Sequence, residues 1–285
     1  MAYKEDYAQA DGWSVADVSV RLNTAAGKKF LDFLRASGVD TLIRYYASSN
    51  RPKTITPEEA KFLSKEGFAI VPVFQDRARK ISDFSAEAGA AHAQSALEFA
   101  KRIGQPNGST ILFAVDADYT ADEIDGPIVQ YFKTIKDTLN GAFAIGAYGS
   151  GALLAKLLTE GLISVPWLSM SRSFLGTESF FYSNQWFLRQ VPPTLEHTPS
   201  RLGYDRNVVR VSRDQLGAFQ VDEAGEGQLA WHSSVDATLE QGEPDLIQPV
   251  HVALAGANRF VTTEGLRLRR TPNGTILREL TLGNP

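Results

Sequence analysis

Two aspartates separated by one residue follow an apolar run in the stretch ILFAVDADYT, residues 111–120. If this run is a β-strand, its side chains alternate between two faces, so Asp116 and Asp118 point the same way with α-carbons roughly 7 Å apart. Like charges at that distance repel each other, and a strand alone gives no reason to keep them. Paired carboxylates in unlike environments are, however, the groups with which sugars are cleaved, one as an acid and one in its ionised form.

The elements around this stretch repeat, because apolar runs alternate with helical patterns along residues 11–220. The strand-like runs are 14–20, 41–47, 68–75, 110–118, 143–149, 165–170, 185–191 and 203–209. Strands that alternate with helices favour a parallel sheet, and eight such units favour a closed (β/α)8 TIM-like barrel. The last units contain little helix, so we expect that part of the barrel to be irregular.

Two of the helices have clear start signals. Thr56, followed by Pro57 and Glu59, predicts a helix that begins with a capping box. Thr120 and Glu123 predict a second capping box directly after the aspartate pair.

The chemistry of a β/α barrel lies at the carboxyl ends of its strands. Carboxylates occur at three such ends, as Asp17, the pair Asp116 and Asp118, and Asp205. We predict that Asp118 is a buried general acid with a raised pKa and that Asp116 stays ionised, with Asp17 or Asp205 as the second catalytic carboxylate. The polar and aromatic residues predicted to bind substrate at the same rim are Arg44, Tyr46, Gln75, Tyr148, Trp167, Gln190 and Asn207.

Each of these residues also has a structural interpretation. Asp116 or Asp118 could turn the chain into the helix that follows, and Asp17 could be a buried hydrogen-bonding residue. Asp205 and Asn207 could be turn residues, and Arg44 could pair with a neighbouring acid. The convergence of three carboxylate-bearing strand ends at one rim favours a functional site.

Composition narrows the classes of function. The formal net charge is −4 and no basic stripe stands out, which argues against nucleic acid as the main partner. The chain has no cysteine, which excludes disulfides and cysteine-based zinc sites. We predict no cofactor and no metal, because the motifs lack the His or Glu ligands typical of metal sites on barrels. No apolar run is long enough for a membrane span, and MAYKEDYAQADGW lacks the apolar core of a signal peptide.

Changes in composition and residue patterning along the chain predict four segments. Residues 1–10 form an N-terminal extension, 11–220 the barrel, 221–249 a polar linker and 250–285 a small all-β segment. The last segment contains a hairpin signal at Asn273–Gly274.

These motifs resemble the bacterial glycoside-hydrolase-like domain family of unknown function, a relative of the family 25 lysozymes. The matching stretches are, in order, ADVSVRL, IRYYASS, TITPEEAKFLSKEGFAIVPVFQ, IGQPNGSTILFAVDADYT, AIGAYGSG, WLSMS, WFLRQV and YDRNVV. The segment VTTEGLRLRRTPNGTILREL resembles the first half of a bacterial SH3-like domain of the kind appended to cell-wall hydrolases.

The resemblance implies a barrel that acts on carbohydrate, with peptidoglycan as the leading substrate. It places Asp17, Asp116, Asp118 and Asp205 where the lysozyme relatives have active-site acids. The lysozymes carry Asp-x-Glu on the fourth strand, whereas this chain has Asp116-Ala117-Asp118, whose second carboxyl reaches about 1.5 Å less far, and a shift of that order can cost ~100-fold in rate.

The expected function is therefore a glycoside hydrolase that acts on cell-wall glycan outside the cytoplasm. The alternative is a non-catalytic carbohydrate-binding protein built on a degenerate hydrolase barrel. In either case we expect a polysaccharide partner, while the SH3-like end would bind wall peptide or a protein.

Overall fold

The computed structural model describes residues 7–47 and 51–230, together with the backbone of 266–269 and 276–280. The chain divides into two compact units, Met1–Ser234 and Val235–Pro285. Of the helices in the described ranges, none combines the length and apolarity needed to cross a bilayer. In the second unit, Leu266–Arg269 and Ile276–Leu280 form an antiparallel pair, and the predicted turn at Asn273–Gly274 lies outside the described residues.

The first unit is a closed barrel of eight strands. The strands are β1 Trp13–Asp17, β2 Thr41–Tyr46, β3 Ala69–Phe74, β4 Thr110–Ala114, β5 Ala144–Gly149, β6 Val165–Leu168, β7 Leu188–His197 and β8 Leu202–Val209. The helices are α1 Ala25–Ala36, α2 Pro57–Lys65, α3 Ala86–Ile103, α4 Ala121–Glu123, α5 Val129–Leu139, α6 Gly151–Thr159, α7 Thr177–Ser183 and α8 Arg213–Leu216. The predicted TIM-like barrel is confirmed, since β1 pairs with both β2 and β8 and the ladder closes through β3 and β4.

The eighth strand departs from the predicted parallel sheet. β8 runs antiparallel to both β7 and β1. Only residues 198–201 separate β7 from β8, which is enough for a hairpin, whereas a parallel crossover needs about a dozen residues. β8 therefore runs away from the rim of the barrel. Asp205 lies near its beginning, opposite Asp17 in the β1–β8 register.

The barrel sheet continues beyond the predicted end of the domain. Two short strands, β9 Phe219–Val221 and β10 Gly227–Leu229, form a hairpin joined to β3 at Ile70. The start of the predicted linker thus belongs to the packed sheet, and its residues Val221 and Ala230 are buried.

The two predicted capping boxes have different outcomes. Around α4 the box is complete, with Glu123 N donating to Thr120 Oγ1 at 3.3 Å and Thr120 N donating to Glu123 Oε2 at 2.8 Å. At α2 only Thr56 caps the helix, accepting from Glu59 N at 3.2 Å. The Glu59 carboxylate accepts instead from Leu22 N at 2.8 Å and from Arg44.

Arg44 and Glu59 form a fully buried ion pair between β2 and α2. Both side chains are 0% exposed, and Arg44 Nη2 lies 3.0 Å from Glu59 Oε1. The guanidinium also donates to the carbonyls of Val18 and Lys53. The prediction that Arg44 binds substrate is wrong, because its side chain faces the surrounding helices and its donors are used by protein.

We expect Arg44→Met to lower the free energy of unfolding by about 3–5 kcal/mol, because it leaves the Glu59 charge buried without its partner. Urea unfolding followed by circular dichroism measures this loss. The double variant Arg44→Met with Glu59→Leu should recover part of it, since replacing both partners removes the stranded charge. Asp137→Asn, on the exposed face of α5, is the matched control. A loss for Arg44→Met no larger than that of the control would contradict a structural role for the pair.

Candidate active site

A cavity of about 360 Å³ opens at the carboxyl ends of the parallel strands. This volume falls in the range of roughly 300–1,000 Å³ that is usual for small-ligand sites. Its lining consists of Tyr45, Val73, Gln75, Arg79, Ala114, Asp116, Tyr148, Trp167, Met170, Ser171, Gln190, Thr194 and Asp205. The predicted residues that the structure brings together in this wall are Gln75, Asp116, Tyr148, Trp167, Gln190 and Asp205.

Asp17 lies beneath the floor of the cavity, at the end of β1, and is 3% exposed. Its Oδ2 accepts from Gln190 Nε2 and Asn207 Nδ2, both at 3.0 Å, and its Oδ1 accepts from the Tyr45 hydroxyl at 3.2 Å. Burial and the nearby charge of Asp205 raise the pKa of Asp17 from 3.8 to about 7, against the opposing effect of these donors. Asp17 therefore keeps its proton over much of the range in which an exposed aspartate is ionised.

Asp205 is the part of this acidic pair that reaches the cavity. Gln190 Nε2 donates to its Oδ2 at 3.2 Å, so one amide nitrogen bridges Asp205 and Asp17. Its Oδ1 is buried and has no hydrogen-bond partner among the described residues. Burial raises the pKa of Asp205, and the charge of Asp116 acts in the same direction. Two carboxyls this close titrate as one unit, which favours a single proton on the pair near neutral pH.

The two aromatic residues of the floor hold the amides in place. Trp167 Nε1 donates to Asn207 Oδ1 at 2.8 Å, and the Tyr148 hydroxyl donates to Gln190 Oε1 at 2.7 Å. These bonds orient both amides with their NH2 groups toward Asp17. The rings meet edge to face at 4.6 Å and are 2% and 8% exposed for Trp167 and Tyr148, so they form the floor more than an open stacking surface.

Asp116 occupies a different environment on the β3–β4 side of the cavity. Its Oδ2 accepts from Gln75 Nε2 at 3.2 Å and from Arg79 Nε at 2.9 Å, and Arg79 Nη2 also lies 2.9 Å away. Oδ1 of Asp116 accepts no hydrogen bond from any side chain or backbone group that the structure describes. The site thus contains one carboxylate paired with a cation and, across from it, an acidic pair that holds a proton.

The structure separates Asp118 from this site. β4 ends at Ala114, so the alternation that would align Asp116 with Asp118 no longer holds beyond it. Asp118 is exposed, lies outside the cavity lining, and its Oδ1 accepts from Leu175 N at 2.8 Å. The predicted burial of Asp118 is therefore wrong, and its observed contact holds the loop after β6.

Tyr46 also points away from the cavity. It is fully buried, its hydroxyl donates to Gln105 Oε1 at 2.9 Å, and its ring stacks on Phe99 of α3 at 5.1 Å. The prediction that Tyr46 binds substrate is wrong. Its neighbour Tyr45 faces the barrel interior and lines the cavity, because adjacent residues of a strand point to opposite sides.

Sequence reasoning missed Tyr45, Arg79, Thr194 and the nearby Lys53. Tyr45 was one residue from the predicted position, so the opposite choice of strand face would have found it. Arg79 and Thr194 lie outside the predicted strand ends, and no local pattern marks them. Among the described residues, no group of three or more His, Cys, Asp or Glu side chains is placed to hold a metal ion.

The barrel and its acidic site define a glycoside hydrolase-like domain. The chain belongs to the Rv2525c-like, glycoside hydrolase-like domain family, which it matches over residues 32–210. This confirms, at the level of the family, the resemblance carried by the sequence motifs.

Individual relatives place the chain more closely. The uncharacterized protein YbfG of Bacillus subtilis is 31% identical over 172 residues, which cover 55% of this chain and 24% of YbfG. The crystal structure of the Tat-secreted protein Rv2525c of Mycobacterium tuberculosis, in complex with L-tartrate, has a TM-score of 0.60 at 22% identity and covers 73% of this chain and 99% of that one. An uncharacterized protein of B. stearothermophilus has a TM-score of 0.51 at 15% identity, covering 70% of this chain and 95% of that one. These two structures show the same fold.

We expect the free energy of unfolding to fall as the pH rises from about 4 to 7, because folded Asp17 keeps the proton that the unfolded chain releases. One such proton contributes at most about 1.4 kcal/mol per pH unit. Asp17→Asn should flatten this slope, since asparagine does not ionise in this range. Its Oδ1 can accept from Gln190 and Asn207, and its Nδ2 can donate to the Tyr45 hydroxyl, which now accepts instead of donating. Urea unfolding at several pH values in this range tests it, with Asp137→Asn as the control. Equal slopes for Asp17→Asn and the wild type would contradict the raised pKa.

Proposed function

We propose that this domain is a glycoside hydrolase that acts on cell-wall glycan, with peptidoglycan as the substrate, outside the cytoplasm. The observation that carries the proposal is the presence, in one cavity, of carboxyl groups in two unlike environments. Asp205 shares a bridging amide with buried Asp17 and has a raised pKa, while Asp116 is paired with Arg79. Two carboxyls in such different environments have different pKa values, so that at one pH one of them can donate a proton while the other is ionised.

In the proposed mechanism, the single proton of the Asp17–Asp205 pair moves to Asp205 and from there to the glycosidic oxygen as the bond to the anomeric carbon breaks. The leaving sugar departs as an alcohol, and the acidic pair is left ionised, with the Gln190 amide donating to both carboxylates. Asp116 stays ionised and stabilises the positive charge that develops at the anomeric carbon. Water supplies the new hydroxyl and its proton restores the acidic pair.

The choice of substrate and location rests on the family and on its secreted member. Membership in a glycoside hydrolase-like family supports a glycan. The Rv2525c protein is described as Tat-secreted, which supports a site of action beyond the cytoplasm. The predicted SH3-like end would bind wall peptide or a protein partner, as in the wall hydrolases that its sequence resembles.

One observation favours a second candidate, a non-catalytic glycan-binding domain. Protein groups already engage two of the three carboxyls, because Asp17 accepts three hydrogen bonds and Oδ2 of Asp116 is held by Arg79 and Gln75. Carboxyls held in this way could shape a binding cavity without transferring a proton.

We expect the wild type to release soluble muropeptides with new reducing ends from purified peptidoglycan. Asp205→Asn should lower the rate by at least about 100-fold, because it removes the transferable proton. Asp116→Asn should lower it by about 100-fold, because it removes the negative charge opposite the anomeric carbon. Mass analysis of the products identifies the bond that is cleaved.

Asp137→Asn serves as the matched control, since the same substitution on the exposed face of α5 should leave the rate unchanged. If neither the wild type nor any variant releases products, and all of these proteins sediment with the glycan, the binding-domain candidate replaces the hydrolase. If Asp205→Asn retains the wild-type rate, the assignment of the acid is wrong.

A further inference from the structure

The β2–β3 edge of the cavity carries positive charge that the proposed chemistry does not use. Arg79 donates to Asp116 only through Nε and Nη2, and its side chain is 74% exposed. Its Nη1 has no hydrogen bond in the part of the chain that the structure describes. Arg79 therefore keeps donors available at the cavity mouth while it is still ion-paired.

Lys53 is a second cation near this edge, and although it does not line the cavity, it contacts Gln75 and Tyr45, which do. Its Nζ donates to Gln75 Oε1 at 2.9 Å and lies 4.6 Å from the centre of the Tyr45 ring. Gln75 in turn donates to Asp116, so Lys53 and Arg79 flank the same glutamine–aspartate contact. Within the described ranges, no carboxylate lies within 4.0 Å of Lys53 Nζ, which leaves its charge without a direct ion pair.

Lys53 is partly buried and lies among charges of both signs, since Asp76 and Asp116 oppose the effects of Arg51 and Arg79 on its pKa. Burial and the charge of Arg51 lower the pKa of Lys53 to about 8, and Arg79 acts in the same direction. With a pKa of about 8, Lys53 is still protonated at neutral pH, so it offers a cation to an anionic group.

The loop that carries Arg79 is held in one conformation. Ala78 is buried and has a φ of 66°, in the left-handed region that a residue with a side chain seldom adopts. Its carbonyl accepts from Asp116 N at 2.8 Å, so the loop is joined to the end of β4. The backbone therefore sets Arg79 at the cavity before any ligand arrives, which reduces the entropy lost on binding.

We propose that Arg79 and Lys53 recognise a free carboxylate on the glycan, so that the preferred substrate of this site is an acidic glycan. The inference rests on the proposed function only in that the ligand is a glycan. A carboxylate fits better than a phosphate, because one unmatched cation balances a single negative charge. Asp116 and the acidic pair repel any anion, and they repel a dianionic phosphate about twice as strongly as a carboxylate.

The test compares two glycans that differ only at the lactyl carboxylate. The first probe is peptidoglycan strands stripped of peptide, whose lactyl groups end in free carboxylates. The second is the same strands after chemical reduction of those carboxylates to alcohols. Binding is measured by calorimetry with the full chain carrying Asp205→Asn, so that the strands stay intact.

We expect the acidic strands to bind about 10-fold more tightly than the reduced strands, as for one charge-assisted contact at a partly exposed site. Arg79→Gln and Lys53→Gln should each reduce this preference to about threefold or less. Arg77→Gln, an exposed arginine two residues away on the same loop, should retain the full preference. Urea midpoints of the variants confirm that each protein is folded.

The other outcomes separate the two proposals. Equal binding of both strands overturns carboxylate recognition and leaves the hydrolase proposal standing. Preference for the acidic strands without hydrolysis by the wild type supports recognition and overturns the hydrolase. Absence of binding to either strand overturns carboxylate recognition, and muropeptide release by the wild type then decides the hydrolase proposal. Stronger competition by inorganic phosphate than by acetate, at equal ionic strength, would assign the site to phosphate and overturn the carboxylate.

Discussion

The buried carboxyl of Asp17 is the constraint on which the floor of the cavity depends. A buried carboxyl is costly unless its oxygens are hydrogen-bonded, and the donors to Asp17 come from three other strands: Tyr45 of β2, Gln190 of β7 and Asn207 of β8. These strands are also the ones that close the barrel around β1. The donors reach Asp17 only when these strands are paired in the sheet, and the resulting hydrogen-bond network forms the floor of the cavity.

Two arginine–carboxylate pairs in this domain show how exposure separates structure from function. Arg44 and Glu59 are both 0% exposed, so separating them would leave a buried charge without a partner. Arg79 is 74% exposed and Asp116 is 21% exposed, and ion pairs in contact with water are worth only about 0–1 kcal/mol. An incoming ligand can therefore rearrange the second pair at small cost, whereas the first pair joins β2 to α2 permanently.

The aspartates of the fourth strand illustrate what a local pattern can and cannot predict. The apolar run and the capping box at Thr120 and Glu123 correctly predicted a strand followed by a helix. The strand ends at Ala114, however, so the two carboxyls that follow it are not held on one face. Asp116 points into the cavity while Asp118 accepts from the backbone of Leu175, because the loop, and not the pleat, orients them.

The eight strands, their order, the family and six of the thirteen residues in the cavity wall could be predicted from the sequence, because these follow from local periodicity and from the position of polar residues at strand ends. Only the tertiary structure decided the direction of β8, the faces of Tyr45 and Tyr46, and the placement of Arg79. Both faces of a barrel strand are buried, one by the interior and one by the helices, so polarity alone does not show which side a residue such as Arg44 faces. Asp17 and Asp205 are separated by 188 positions in the sequence. They are paired only because a short hairpin reverses β8 and places it beside β1.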